Sequence, residues 1–244
     1  MCANSSSCKE AVVMAGGLGT RLGVLTAECP KPMLDVGGRP FLSYLLDFLF
    51  FNGISHVVLA VSYKHEIIST YFGKNYRGIE IDYSVSDPPM GTGGDLLTAL
   101  EMACYDEVAV LNGDTLFDVI LRDLFNFHID VSGMVTLALR TMFNTDRYGL
   151  VEMDVSSKRI VGFREKAHFD KGLINGGLYV VSRSALLSVA PRGSFSFEHD
   201  FLEKYYGLYP FYGFVHDGFF IDIGTPEDYE KAQTLVPKVA EKWA

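Results

Sequence analysis

The sequence predicts an α/β fold, a doubly wound and mostly parallel sheet that carries a small antiparallel annex. Three observations predict it. "EAVVMA" (residues 10–15) is a continuous apolar run of the kind found in strands covered on both faces. Through residue 114, such runs alternate with amphipathic helical stretches, the pattern of parallel strands joined by crossover helices. Beyond that point, shorter runs broken by polar turns take over, and these suit antiparallel pairs.

Taken in order, the first half places a strand at "EAVVMA" and a helix after Pro40 over "FLSYLLDFLFF", where Ser43 and Asp47 interrupt an otherwise apolar face. A strand "HVVLAVS", a helix "EIISTYF", a strand "IEIDYSV", a helix "DLLTALEMA" and a strand "EVAVLNGD" follow. In the second half, "YGLVEMDVSSKRIVGFREK" predicts two strands joined by a turn at Ser156 and Ser157. "GGLYVVS", two helical stretches and one further strand in "FVHDGFFIDIG" come next. The last helix opens at "TPEDYEKAQTLV": Thr225 caps it, Pro226 suits its first position, and Glu227 and Asp228 favour its positive end.

The chain has 244 residues, enough for one full hydrophobic core, and is read as a single domain over residues 10–244 behind a disordered tail at 1–9. The N-terminus, "MCANSSSCKE", lacks the basic start and apolar stretch of a signal peptide, and no apolar run has the length of a membrane span. A formal net charge of -9 opposes binding to a nucleic-acid backbone. The four cysteines, Cys2, Cys8, Cys29 and Cys104, show no zinc-type spacing and are read as reduced thiols of a cytoplasmic protein, with Cys104 in the core. The six histidines are scattered, and no Ser/His/Asp or Cys/His arrangement stands out.

The stretch "VVMAGGLGTRLGVLTAECPKPM" (residues 12–33) carries most of the chemistry. Behind a buried strand, Gly16, Gly17 and Gly19 let backbone N–H groups approach an anion where a Cβ would stand in the way, and Thr20 adds a hydroxyl. Arg21 brings a fork that matches phosphate oxygens, and Lys31 is held between Pro30 and Pro32, which fix the local backbone. A dinucleotide fingerprint fails because Leu22 occupies its third glycine position; a P-loop fails because Arg21 or Leu22 stands where its second glycine belongs.

Two aspartates complete the set. Asp114 lies just past a buried strand behind Asn112 and Gly113, in the zone where α/β sheets collect ligands, and Asp222 interrupts an apolar strand. Each either caps a turn or helix, or holds a metal. Magnesium takes one or two carboxylates, with water and phosphate oxygens for the rest. A second glycine cluster, "SDPPMGTGGDLLTAL", again exposes backbone at Gly91, Thr92, Gly93 and Gly94.

"GGLGTRL" followed by "PKPM" resembles the signature of the sugar-1-phosphate nucleotidyltransferases (nucleotide-sugar pyrophosphorylases), and the order of later motifs extends the resemblance from Glu10 to Val236. It implies a Rossmann-like, GT-A-like nucleotidyltransferase fold and attack of a sugar 1-phosphate on the α-phosphorus of a nucleoside triphosphate. It also implies a nucleotide site at Ala15, Gly16, Gly17, Gly19, Thr20, Arg21, Lys31, Gly91, Thr92 and Asn112. Arg21, Lys31 and Asp114 would be catalytic, and Asp114 with Asp222 would hold Mg2+. Gly149, Glu165, Lys166 and Asn175 would bind the sugar phosphate. Asp95 stands where relatives carry a small residue; it favours the helix N-terminus or accepts from a guanine edge.

Within that family, "LAVSYKHEII", "LNGDTLFDV" and "GFREK" look most like the branch that moves a guanylyl group from GTP to a heptose 1-phosphate. The other readings are a sister branch using mannose 1-phosphate with GTP, N-acetylmuramate 1-phosphate with UTP or glucose 1-phosphate with dTTP or UTP, and a silent nucleotide-sugar sensor. Apolar "FLFF" and "YYGLYPFYGF" leave room for contact between copies of the chain.

Overall fold

The apolar run that starts the sequence becomes the middle strand of the sheet. The computed structural model describes residues 9–17, 22–23, 29–145, 147–165 and 168–243. In chain order, its first half runs β1 (Glu10–Met14), the short pair β2 (Asp35–Val36) and β3 (Arg39–Pro40), α1 (Phe41–Phe51) and β4 (His56–Val61). It goes on through α2 (His65–Phe72), β5 (Asn75–Tyr76), β6 (Ile79–Val85), α3 (Gly91–Met102), β7 (Glu107–Asn112), β8 (Thr115–Phe117) and α4 (Leu121–Asp130). The second half comprises β9 (Val135–Thr145), β10 (Leu150–Met153), β11 (Ile160–Arg164), β12 (Phe169–Ser182) and α5 (Arg183–Val189). A π-helical segment (Phe197–Leu202) then runs into the single turn α6 (Glu203–Tyr205), before β13 (Phe211–Val215), β14 (Phe220–Asp222) and α7 (Pro226–Ala240).

Among the described residues, ten strands form one sheet in the order β11-β10-β12-β7-β1-β4-β6-β5, with β9 beside β12 and β13 beside β9. β7, β1, β4 and β6 are mutually parallel, and β12 joins β7 antiparallel, so the antiparallel part continues the parallel one without a break. Successive residues of β1 serve opposite faces: Ala11 and Val13 enter the core built around α1, and Val12 enters the one built around α3 and the π-helical segment. Phe41, Phe48, Phe197 and Phe201 are fully buried in these two layers, each contributing about 1.5–3 kcal/mol by leaving water.

β12 is the hinge between the halves. Its residues 178–182 pair with β7, whereas Ile174 pairs with Leu150 of β10, and its register against β9 shifts between Asn175 and Tyr179. The irregularity bends the strand and leaves Asn175, Gly176 and Gly177 in a gap at the end of β7. At the other end of the parallel strands, the fully buried Glu10 accepts from the backbone N–H groups of Cys104 and Tyr105 and meets His56 Nδ1 at 2.6 Å. Burial opposes its charge, but these donors outweigh burial and hold Glu10 below its ordinary value.

Two expectations need correction. "FVHDGFFIDIG" yields two strands: β13 lies parallel to β9, and the chain then turns at Gly218, where a Cβ would overlap Asp118 O, so that β14 pairs with β8. Cys104 is exposed, because it falls in the connection between α3 and β7 rather than within either element. Among the described residues, no helix is long and apolar enough to cross a membrane.

Candidate active site

Backbone contact between neighbouring strand ends delivers the first carboxylate. Gly113 N–H donates to Met14 O at 2.9 Å, and a Cβ on Gly113 would stand 2.8 Å from that same oxygen, so only glycine lets β7 leave β1 this closely. Asp114 follows. β8 then pairs antiparallel with β14, which sets Asp222 opposite Thr115, while Ile223 N–H donates to Asp114 O at 3.0 Å. Two aspartates far apart in sequence thus become neighbours. Thr115 Oγ1 donates to Asp114 Oδ1 at 3.1 Å, and Gly224 N–H donates to Asp222 Oδ1 at 2.7 Å.

Lys31 closes the group. It opens a buried 3-10 turn, Lys31–Met33, whose lead residue Pro30 holds φ -59 and whose second residue is Pro32. Lys31 Nζ lies 2.5 Å from Asp114 Oδ2 and 3.8 Å from Asp222 Oδ1, with 11% of its side chain exposed. Burial, and then the negative charge of Asp114, push Asp222 above the usual carboxylate range, against the pull of Lys31. Two carboxylates face one ammonium, so the group holds an unbalanced negative charge in a poorly solvated place. That donor set fits magnesium, which accepts one or two carboxylates and fills its shell with water and phosphate oxygens. Among the described residues, no cluster of three or more His, Cys, Asp or Glu could hold an ion by protein groups alone.

Two cavities meet here. The first, about 520 Å³, is lined by Met14, Gly16, Gly17, Lys31, Pro32, Ala60, Pro89, Gly91, Thr92, Asp95, Asn112, Gly113, Asp114 and Glu198. Of the nucleotide-site candidates it gathers Gly16, Gly17, Lys31, Gly91, Thr92 and Asn112. Ala15 is buried, donates its N–H to Ala60 O and does not line the cavity. Gly19, Thr20 and Arg21 lie outside the described residues. The second glycine cluster is the first turn of α3 itself rather than a loop before it. The segment 193–197 packs over that turn: Gly93 N–H donates to Phe195 O, Phe197 N–H donates to Thr92 Oγ1, and a Cβ on Gly94 would stand 2.5 Å from Gly193 O. Asp95 is buried, and its Oδ1 accepts from Met90 N–H at 3.0 Å.

The second cavity, about 490 Å³, opens on the antiparallel side and gathers Gly149, Glu165 and Asn175 with Asp222. Lys166 lies outside the described residues. Here the structure adds residues that the sequence did not single out: Arg147, Tyr148, Glu198 and His199 all line it. Arg147 forms an ion pair with Asp228 in the first turn of α7. Burial, and next the charge of Asp222, push the Tyr148 hydroxyl up to about 12. Asn112 and Glu198 line both cavities, so they form the shared wall.

A hydrogen-bonded chain fixes that wall. Gly177 N–H donates to Asn175 Oδ1 at 3.1 Å, Asn175 Nδ2 donates to Tyr179 Oη at 2.8 Å, and the Tyr179 hydroxyl donates to Glu198 Oε1 at 2.8 Å. Asn112 Nδ2 donates to the same oxygen at 3.4 Å. Tyr179 is wholly buried; burial and then the Glu198 charge push it well above its ordinary value, so its hydroxyl stays a donor. Arg147 could have been noticed two positions before Gly149 in "DRYGLVE". Glu198 gave no such signal, being one acid in the aromatic-rich "SFSFEHDF" whose π-helical register has no sequence mark.

Three comparisons bear on this arrangement. A family model described as nucleotidyl transferase matches residues 10–239. The chain is 45% identical over 224 residues to D-glycero-α-D-manno-heptose 1-phosphate guanylyltransferase of Aneurinibacillus thermoaerophilus, covering 92% of this chain and 96% of that one. It is 41% identical to the protein of the same name from Campylobacter jejuni, covering 90% and 96%. The crystal structure of HddC from Yersinia pseudotuberculosis complexed with GMP-PN superposes with a TM-score of 0.82 at 33% identity, covering 92% of this chain and 98% of the other.

Proposed function

The chain belongs to the nucleotidyl transferase family, and we propose that it transfers a guanylyl group from GTP to D-glycero-α-D-manno-heptose 1-phosphate, releasing pyrophosphate. The observation that carries this reading is the position of Lys31, Asp114 and Asp222 at the meeting of a glycine-lined cavity and a polar one. The first takes the nucleotide and the second the sugar 1-phosphate, so the reacting phosphates lie at the junction.

An oxygen of the sugar phosphate attacks the α-phosphorus of GTP, and the bond from that phosphorus to the β-phosphate oxygen breaks. The nucleophile is already an anion, so no general base is needed, and catalysis consists of positioning and charge neutralisation. In this reading Gly16, Gly17, Gly19 and Thr20 cradle the triphosphate, with Gly91, Thr92 and Asn112 along the nucleoside. Arg21 and Lys31 neutralise its phosphates. Asp114 and Asp222 hold Mg2+, which when bound neutralises charge on the reacting phosphates. Gly149, Glu165 and Asn175 hold the sugar, Lys166 meets its phosphate, and Arg147 and Glu198 extend that set.

The test is magnesium-dependent pyrophosphate release with GTP, UTP, dTTP, CTP and ATP, each offered heptose, mannose, glucose and N-acetylmuramate 1-phosphates. Release confined to GTP with heptose 1-phosphate is expected. Release with another pair moves the chain to a sister branch, and silence throughout with retained nucleotide-sugar binding makes it a sensor.

A further inference from the structure

We propose that the π-helical wall of the second cavity selects the sugar, with His199 and Glu203 reading the carbons beyond C5; this rests on the heptose reading above. In the π-helical segment Glu203 N–H donates to Glu198 O, five residues back rather than four. Glu198, His199, Leu202 and Glu203 share one side of this segment, and all four line the cavity. Glu198 sits at the shared wall, beside the junction where the sugar's C1 phosphate must lie. His199 and Glu203 sit at the open side, with 69% and 35% of their side chains exposed.

The chemistry of the pair suits a diol. His199 Nδ1 lies 2.9 Å from Glu203 Oε1, and since a carboxylate only accepts, the ring N–H at Nδ1 is the donor. In the neutral imidazole, Nε2 is then an acceptor, and Glu203 Oε2 is a second one. A manno-heptose and mannose share the same ring, but beyond C5 the heptose carries two hydroxyls on adjacent carbons where mannose carries one. Two acceptors on neighbouring side chains suit two O–H donors. Mannose leaves one acceptor without its partner, and a site built to hydrogen-bond a hydroxyl discriminates against the substrate that lacks it. The neighbouring ion pair of Lys204 with Asp200 at 2.7 Å does not line the cavity and serves as a control.

The experiment compares kcat/KM for heptose 1-phosphate and mannose 1-phosphate, at saturating GTP, in the wild-type chain and in His199→Ala, Glu203→Gln and Lys204→Ala. The wild type is expected to prefer heptose 1-phosphate. Of His199→Ala and Glu203→Gln, the variant that removes the acceptor of the C7 hydroxyl should lower that preference about tenfold through loss on heptose 1-phosphate alone, and the one that removes the acceptor of the shared C6 hydroxyl should lower kcat/KM on both sugars. Lys204→Ala should keep the wild-type ratio. An unchanged ratio in both pocket variants overturns the role given to the pair while leaving the heptose reading intact. A wild-type chain that is silent with heptose 1-phosphate overturns that reading and the pair's role with it.

Discussion

The two cavities that share Asn112 and Glu198 are built from different materials. On the parallel side the lining includes bare backbone at Gly16, Gly17, Gly91 and Gly113 beside Lys31, Asp95 and Asp114, and Gly113 is held by the contact of one strand end with another. On the antiparallel side large polar side chains, Arg147, Tyr148, Glu165, Glu198 and His199, join Gly149, Gly176 and Gly177. A triphosphate presents the same oxygens whatever its base, and bare N–H groups suit it. Sugars differ in the number and direction of their hydroxyls, and polar side chains of fixed position suit that difference. One wall is therefore set by fold geometry and the other by residue identity.

If that contrast holds, the junction is the place where neither wall can compensate. Asp114→Asn and Asp222→Asn should each cut magnesium-dependent pyrophosphate release by about a thousandfold or more, because each removes charge from the reacting phosphates' site. Thermal melts should show Asp222→Asn folded, since burial and then the Asp114 charge already oppose its ionisation. Full turnover in either variant would refute the metal and phosphate assignment.

Next in size comes a break in the backbone wall. Gly113→Ala places a Cβ against Met14 O and 3.1 Å from Ala15 Cα, neither of which can move without parting β1 from β7. A fall of about ten- to a hundredfold in kcat is expected from the displaced Asp114, with a melting temperature lower by about 2–8 °C for the cost of overpacking. A smaller change sharpens the other wall. Tyr179→Phe removes the hydroxyl that links Asn175 to Glu198, which costs about 1 kcal/mol and should raise KM for the sugar phosphate about fivefold. KM for GTP should stay within about twofold, so a matched rise for both substrates would show that the chain of hydrogen bonds supports the whole junction rather than the sugar side.

The same contrast explains how much of the molecule was legible in the sequence. Parallel strands announce themselves by continuous apolar runs, and β1, β4 and β7 fall where "EAVVMA", "HVVLAVS" and "EVAVLNGD" put them. The residues that hold the junction, Lys31, Asp114 and Asp222, were found because prolines, glycines and an acid in an apolar run are each conspicuous. Arg147, Glu198 and His199 were not. Their placement depends on the bend in β12, on the crossing of β14 to β8 and on a five-residue helical turn, all of which arise from long-range packing. The split of "FVHDGFFIDIG" has the same origin, since only the partner strands β9 and β8 decide where one strand ends and the next begins.

A last prediction separates stability from both walls. His128, on α4, is 2% exposed and hydrogen-bonds Thr136 Oγ1 through Nδ1 at 2.8 Å, away from either cavity. Burial pushes it from the ordinary 6.5 down to about 4, against a weaker opposing pull from the Asp106 charge. Above pH 6.5 the ring is neutral in folded and unfolded chains alike and titration adds nothing. As pH falls from 6.5 towards 4, the unfolded chain takes up a proton that the folded chain refuses, so stability declines by up to about 3 kcal/mol over that window. His128→Gln removes the titrating group. Urea unfolding at pH 7 and at pH 4.5 should show the variant gaining on the wild type at the lower pH, with kcat and both KM values unchanged at pH 7. A parallel decline in the two proteins would show that His128 does not carry the acid loss; Glu10, held charged in the fold by its donors, adds its own loss only as pH falls below 4.5 towards its lowered value.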